Sequence, residues 1–410
     1  MKIAVIGGGI NGIMTAWELQ KVGHEVILFE KDRLMQNTSS ASSKLLHGGL
    51  RYLENGEFRL VKEALKERSW WIKQAPHLAK PLKIFLPVYK YSRRPGFLYK
   101  IGLYLYDRLA GKESLGVHAS YTRTQIQKKC PNLKPTHLTS GFSYYDGLMD
   151  DYQLGMWAVE KAKQVGVVFV EQAMVEKIST NGALYLNNDK KNFDRIINIA
   201  GPWSQALLEK SNIPLKYQLD LIRGSHIVVD RKIEQGYFLE VRNERRIFFV
   251  LPYKNKTLIG TTEERQKLND LIEPSDEEIE YLMKAYNDYF KETINKQDII
   301  QKFSGLRPLI KSADNPNKVT REYAIQVNNK VISVFGGKWT TSRQLAKKVA
   351  KLYPNSLNYQ LEIGIAQKKS GNSRKAERTF KKLLQKLDGR KSQAISLANT
   401  YAQYECMKML

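Results

Sequence analysis

An apolar run, Lys2-Ile3-Ala4-Val5-Ile6, gives way to Gly7-Gly8-Gly9-Ile10-Asn11-Gly12; a helix-like stretch continues to Val22, and a second apolar run, Glu25-Val26-Ile27-Leu28-Phe29, ends at Glu30. Strand, glycine turn, helix and strand in that order predict the βαβ unit of a dinucleotide fold. Glycines remove side chains where backbone must approach a pyrophosphate, and the helix beginning near Asn11 points its N–H groups and positive dipole end at the same place. Glu30 stands where a carboxylate would hydrogen-bond ribose hydroxyls. Such a unit serves both NAD and FAD, so this segment leaves the choice open.

Downstream the texture changes. Thr38-Ser39-Ser40 and Ser42-Ser43 lead into His47-Gly48-Gly49, a stretch that reads as a loop wrapped over a ligand. Phe58, Val61, Leu65 and Ile72 recur at helical spacing up to Pro76 and predict a helix with one buried face. Residues 80–112 interleave Lys and Arg with aromatics, as in Phe97-Leu98-Tyr99-Lys100-Ile101, and read as an amphipathic surface element. The run Val165-Gly166-Val167-Val168-Phe169-Val170 predicts a strand rejoining the parallel sheet, and Arg195-Ile196-Ile197-Asn198-Ile199 predicts another. Short strands between 215 and 262, rich in Ile, Val and Phe, predict an antiparallel sheet. Ser275 and Glu278 have capping-box spacing for a helix carrying Ile279, Met283 and Tyr286, and Val331-Ile332-Ser333-Val334-Phe335 returns as a strand. Beyond Pro354 a Lys-rich pattern resembles one copy of a tetratricopeptide-type hairpin, and an amphipathic helical appendage is the simpler reading.

Composition sets bounds on these readings. The 410 residues suffice for two domains and an accessory segment, and 42% hydrophobic with 26% charged residues are ordinary globular values. The 66 basic and 41 acidic residues leave a net charge of +25, which suits a solvated lysine-rich surface, anionic lipid or an anionic substrate. The basic residues are dispersed and no nucleic-acid-binding module surrounds them, so no nucleic acid partner is expected. The two cysteines, Cys130 and Cys406, lack disulfide or zinc spacing, and no metal site is expected. No charged leader with an apolar core precedes the first strand, and no apolar run reaches the roughly 18 residues of a membrane span. These features predict a cytoplasmic protein whose membrane contact is peripheral, on the inner face of the cytoplasmic membrane.

The segment Thr38-Ser39-Ser40-Ala41-Ser42-Ser43-Lys44-Leu45-Leu46-His47-Gly48-Gly49-Leu50-Arg51-Tyr52-Leu53-Glu54 closely resembles the signature of the FAD-dependent glycerol-3-phosphate dehydrogenases. The resemblance continues through Gly201-Pro202-Trp203, Gly224-Ser225-His226, Gly260-Thr261-Thr262, Ser304-Gly305-Leu306-Arg307-Pro308, Thr320-Arg321-Glu322-Tyr323 and Gly336-Gly337-Lys338-Trp339-Thr340, covering about residues 1–352. It implies FAD as cofactor, the ADP half held by Gly7, Gly9, Gly12 and Glu30. It places Thr38, Ser39 and Ser43 along the flavin, closes Gly337, Lys338 and Thr340 over the isoalloxazine, and adds His47, Val175 and Gly201 to the cofactor site. The implied fold class is α/β: a Rossmann-type FAD-binding domain (1–80, 145–210, 325–352) interleaved with an antiparallel-sheet substrate domain (81–144, 211–324), then a helical tail (353–410).

The residues themselves are consistent with oxidation of a phosphorylated alcohol such as glycerol 3-phosphate. A phosphate dianion calls for forked, permanently charged donors, and Arg51, Arg307 and Arg321 stand inside matched motifs, with Tyr52 adjacent. Hydride loss from a secondary alcohol requires a base, and His226 is the first candidate because an unperturbed imidazole titrates near pH 6.5. Lys338 would hold negative charge on the reduced flavin or pair with a carboxylate; Arg307 and Lys338 join His226 as expected catalytic residues. Each has a plainer reading: the arginines as surface ion-pair residues, His226 as a hydrogen-bonded structural histidine. The matched family usually shows Asn-Ala-Thr-Gly where this chain has Asn198-Ile199-Ala200-Gly201, and bacterial members carry a longer C-terminal helical domain. Quinone or oxygen would accept the electrons, and a homodimer is compatible with the sequence. Rival readings are a same-fold FAD oxidase of an amino or hydroxy acid, or a non-catalytic flavoprotein scaffold.

Overall fold

The computed structural model describes residues 1–311 and 323–353, together with Arg374 and Arg378. The tail with its tetratricopeptide-like pattern, and Arg321, lie outside the described residues.

Two sheets organise the chain. A six-stranded sheet runs in the order Tyr323–Asn328, Val331–Gly336, Arg195–Asn198, Lys2–Ile6, Glu25–Phe29, Val168–Val170. Neighbours are parallel except at the Tyr323–Asn328 edge, where the pairing is antiparallel. Its central strand is buried from Ile3 to Ile6, as a strand covered on both faces must be: Ile3 and Val5 pack among helices, Ala4 and Ile6 against a small sheet and the helix Ser204–Lys210. The helix Ile10–Lys21 lies between helices Asp151–Gln164 and Ser342–Ala350, and Ile3, Val5, Ile13, Met14, Leu19 and Leu28 form the core between them. Each such side chain contributes about 1.5–3 kcal/mol by leaving water.

The second sheet has ten strands, eight on its main path and two paired to its side. Its longest pairings join Leu219–Val229 to Ile299–Ile310 and Ala79–Tyr89 to Leu138–Met149, both antiparallel. One junction is parallel, where Gly236–Glu240 meets Ala79–Tyr89, so the sheet is mixed rather than wholly antiparallel. The capping box at Ser275 forms as expected, with Glu278 N donating to Ser275 Oγ and Ser275 N to Glu278 Oε2. A small antiparallel sheet, Val175–Ile178, Ala183–Leu186 and Asp189–Asn192, flanks the first and was not anticipated.

Three local readings change. Residues 80–112 are not one surface element: Ala79–Tyr89 is a strand buried throughout its second half, followed by the helix Gly96–Ala110. Phe58 is 46% exposed because the helix Phe58–Gln74 starts there and the buried face begins only at Leu60. The strand at 165–170 is shorter, Val168–Val170, because Val165 caps the preceding helix and Gly166 turns the chain with φ +101°.

Candidate functional site

The cofactor side of the site opens where strands Lys2–Ile6 and Glu25–Phe29 end, the position at which open α/β sheets bind ligands. A cleft of about 1170 Å³, its open mouth included, is lined there by Gly7, Gly9, Asn11, Gly12, Glu30, Thr38, Ser39, Met174, Val175, Gly201, Trp203 and Gly337. The turn glycines are sterically required. A Cβ on Gly12 would sit 1.9 Å from the Gly7 carbonyl oxygen, one on Gly7 would sit 2.7 Å from the Ile199 oxygen, and Gly7 itself has φ +115°. Ile10 N donates to Ser39 Oγ at 3.0 Å, so the serine-rich loop seats on the helix N-terminus.

Glu30 also shapes the turn. Its carboxylate accepts from Gly8 N at 2.5 Å and from Asp32 N at 2.9 Å. The donor set fits a dinucleotide: a helix N-terminus and bare glycine backbone for a pyrophosphate, and a carboxylate at the strand end for ribose. Beside them, Asn11 Oδ1 is buried with no hydrogen-bond partner among the described residues. Thr38 Oγ1 donates to Leu306 O at 2.7 Å and Trp339 Nε1 to Ser39 O at 3.1 Å, which ties the loop to both distant walls. Ser43, His47, Lys338 and Thr340 do not line this cleft; Thr340 is buried in the turn before Ser342–Ala350.

Across the seam lies the second half of the site. Ser43 Oγ stands 2.9 Å from His226 Nε2. His226 is 3% exposed, stacks on Phe303 at 4.9 Å between centroids, and its Nδ1 has no partner among the described residues. Gly260 lies opposite in the neighbouring strand, where a Cβ would come within 2.2 Å of the imidazole. Burial, with the charges of Lys44 and Arg307, pushes this imidazole down to about 3. The ordinary value near 6.5 expected from the sequence is therefore not the value of the folded site: the ring is neutral throughout the working range.

Arg307 links this imidazole to the remaining residues. Arg307 donates to Thr262 O at 2.9 Å and lies 3.6 Å from Glu263. Burial lowers its pKa, Glu263 and Tyr52 oppose that, and Arg51 and Arg246 lower it further as like charges. Arg51 is exposed in the turn Leu50–Asn55, and Lys338 Nζ stands 3.8 Å from the centre of the Tyr52 ring. His47 is held below its usual range chiefly by burial, with Lys338 and Arg51 adding to the effect and Asp146 opposing it. Residues His47, Arg51, Tyr52, Arg307 and Lys338, scattered over three segments, thus share one electrostatic neighbourhood.

Two supports were missed from the sequence. Lys44 Nζ, buried, contacts Asp151 at 2.7 and 2.8 Å and Ser40 O at 2.6 Å, while Ser42 gives both N–H and O–H to the same carboxylate. Asp146 likewise gathers Arg68 Nη1, Tyr106 O–H and Gly48 N, fixing the loop that carries His47. A lysine inside a run of serines and leucines was the sole hint; the partners lie 107 and 98 residues away.

A glycine-cradled cleft at the carboxyl ends of a parallel sheet, facing a second sheet that supplies a neutral histidine and Arg307, defines a dinucleotide-dependent oxidoreductase. The chain belongs to the FAD dependent oxidoreductase family, whose model matches residues 2–352, and FAD is its cofactor. It is 37% identical to a glycerol-3-phosphate dehydrogenase of Pseudomonas tolaasii, over 86% of this chain and 71% of that one. It is also 37% identical to a D-erythritol 1-phosphate dehydrogenase of Brucella abortus, over 84% and 72%. Among solved structures, a glycerol-3-phosphate dehydrogenase of Bacillus halodurans complexed with FAD superimposes with a TM-score of 0.69 at 25% identity, covering 87% of this chain and 65% of that one. The chain thus spans just under two thirds of that protein's length.

Proposed function

We propose that the protein oxidises sn-glycerol 3-phosphate to dihydroxyacetone phosphate, the C2 hydride passing to FAD and the electrons then to a quinone or oxygen. The observation that carries this reading is the placing of Arg307 beside both the neutral His226 and Arg51, with Arg51 and Lys338 in turn beside His47, next to a cleft built for a dinucleotide. The name of the Pseudomonas tolaasii relative supports it.

FAD supplies the hydride acceptor. The protein does the rest. Arg307, braced by Thr262 O and Glu263, and Arg51 at the open side bind the phosphate. His226, its ring fixed by Ser43, Phe303 and Gly260, takes the hydroxyl proton; neutral, it has a lone pair to offer, but its depressed basicity has to rise when substrate binds. A phosphate bound at Arg307 offsets one of the cations that depress the imidazole, so the substrate raises the basicity of its own base. Lys338 with Tyr52 holds the flavin side of the pocket.

Anaerobic addition of glycerol 3-phosphate should bleach the bound flavin; a holoenzyme that stays yellow overturns the reading. Arg307→Ala should lower kcat/KM for glycerol 3-phosphate by about 10- to 150-fold, the equivalent of one charged hydrogen bond, without lowering turnover of glycerol. The Brucella abortus relative favours a second reading, a four-carbon polyol phosphate, and kcat/KM for D-erythritol 1-phosphate against glycerol 3-phosphate decides between them.

No helix among the described residues is long and apolar enough to cross a membrane. Helix Gly96–Ala110 nevertheless presents Phe97, Leu98, Ile101 and Tyr104 at 44–62% exposure, beside exposed Arg93, Lys100 and Arg108. An apolar stripe rimmed by cations suits shallow seating on an anionic lipid surface, where quinone resides. Phe97→Asp with Ile101→Asp should abolish co-sedimentation with phosphatidylglycerol vesicles.

A further inference from the structure

Five of the six tryptophans stand in one connected cluster. It begins directly behind the cofactor cleft: Trp339 follows the lining residue Gly337 by two positions and donates its indole N–H to the carbonyl of Ser39, which also lines the cleft. Trp339 lies 5.0 Å from the fully buried Trp71, which lies 4.9 Å from Trp70 and 6.2 Å from Trp157. Trp17 completes the far end, 6.3 Å from Trp70 and 6.0 Å from Trp157. Trp17, Trp70 and Trp157 are partly exposed, so the chain runs from the cleft through the core to solvent. Packing alone accounts poorly for the choice of residue: Trp71 buries an indole N–H with no partner among the described residues, which a phenylalanine would avoid. Indole is also the most readily oxidised of the apolar side chains, and electron tunnelling favours rings in contact.

We propose that these tryptophans form an electron-hopping chain from the protein surface to FAD, active when the bound flavin absorbs blue light. The inference rests on FAD occupying the cleft and not on the identity of the oxidised substrate. With FAD bound, Trp339 would give one electron to the light-excited flavin ring, the indole being oxidised by one electron as the acceptor is reduced by one. Trp71 refills Trp339, and Trp70 or Trp157 refills Trp71, so each hop reduces the inner indole and oxidises the next one out. The outermost indole radical cation loses its N–H proton to water and is reduced by a one-electron donor in solution, a thiolate for example.

The test is transient absorption and flavin emission of the FAD-loaded protein under anaerobic conditions. In the unsubstituted protein a long-lived tryptophan radical should follow a short excitation pulse. Trp71→Phe should leave the flavin emission quenched by Trp339, but cut the yield of the long-lived radical at least tenfold, because the first charge pair recombines before the hole can leave. Trp339→Phe should lengthen the flavin emission lifetime. An equal radical yield in Trp71→Phe, or an unchanged emission lifetime in Trp339→Phe, overturns the proposal. The double variant Trp70→Phe with Trp157→Phe, which blocks both exits from Trp71, should cut the radical yield in the same way and serves should Trp71→Phe fail to fold.

Discussion

Ser43 and His226 meet at 2.9 Å although 183 residues separate them, and their contact joins the serine-rich loop to the second sheet. Ser43→Ala removes the one hydrogen-bond partner that the described residues give the imidazole. Leaving Nε2 unpaired in a buried site costs about 1–3 kcal/mol. The expected outcome is a fall in kcat of about tenfold or more, with KM for glycerol 3-phosphate nearly unchanged, in steady-state assays.

Two glycine substitutions separate the halves of the site. Gly12→Ala places a methyl 1.9 Å from the Gly7 oxygen and should yield protein that purifies without flavin, read by its absorbance. Gly260→Ala instead drives a methyl to 2.2 Å from the His226 ring, and should retain FAD while losing turnover.

Lys44 and Asp151 form a buried ion pair, and removing one partner strands the other charge. Lys44→Met should destabilise the protein by about 3–5 kcal/mol in urea unfolding. Adding Asp151→Asn should recover part of the loss, since no charge is then left unpaired.

His24 predicts a pH effect. It is buried, neither ring nitrogen has a partner among the described residues, and burial with the nearby N-terminal ammonium lowers its pKa to about 4. Above pH 6.5 the ring is neutral in both the folded and the unfolded chain, so it exerts no pull. Below 6.5 the unfolded chain takes up a proton that the fold refuses, and stability declines by up to about 1.4 kcal/mol per pH unit until pH 4. His24→Leu should therefore gain more melting temperature at pH 5 than at pH 8.

Much of the first sheet was legible because its code is local: Gly7, Gly9, Gly12 and Glu30 lie within one βαβ unit. The strand Ala79–Tyr89 was not, since it is buried on both faces and shows no alternation, and Pro81 and Pro87 argue against a strand. In the fold each proline faces a glycine, Gly147 and Gly141, of the neighbouring strand. The roles of Lys44, Asp146 and Asp151 were invisible for another reason. Their meaning lies in partners about a hundred residues distant, and no periodicity encodes that. His226 was legible as a residue but not as an acid–base group, because its burial and its cationic neighbours exist only once both sheets are in place.

The bonds that complete the cofactor cleft span 268 residues from Thr38 to Leu306 and 300 from Ser39 to Trp339. During synthesis the glycine turn and its first helix leave the ribosome long before those walls exist. A cleft with all its walls therefore exists only once Trp339 has been made, and the glycine turn alone does not amount to the cofactor site.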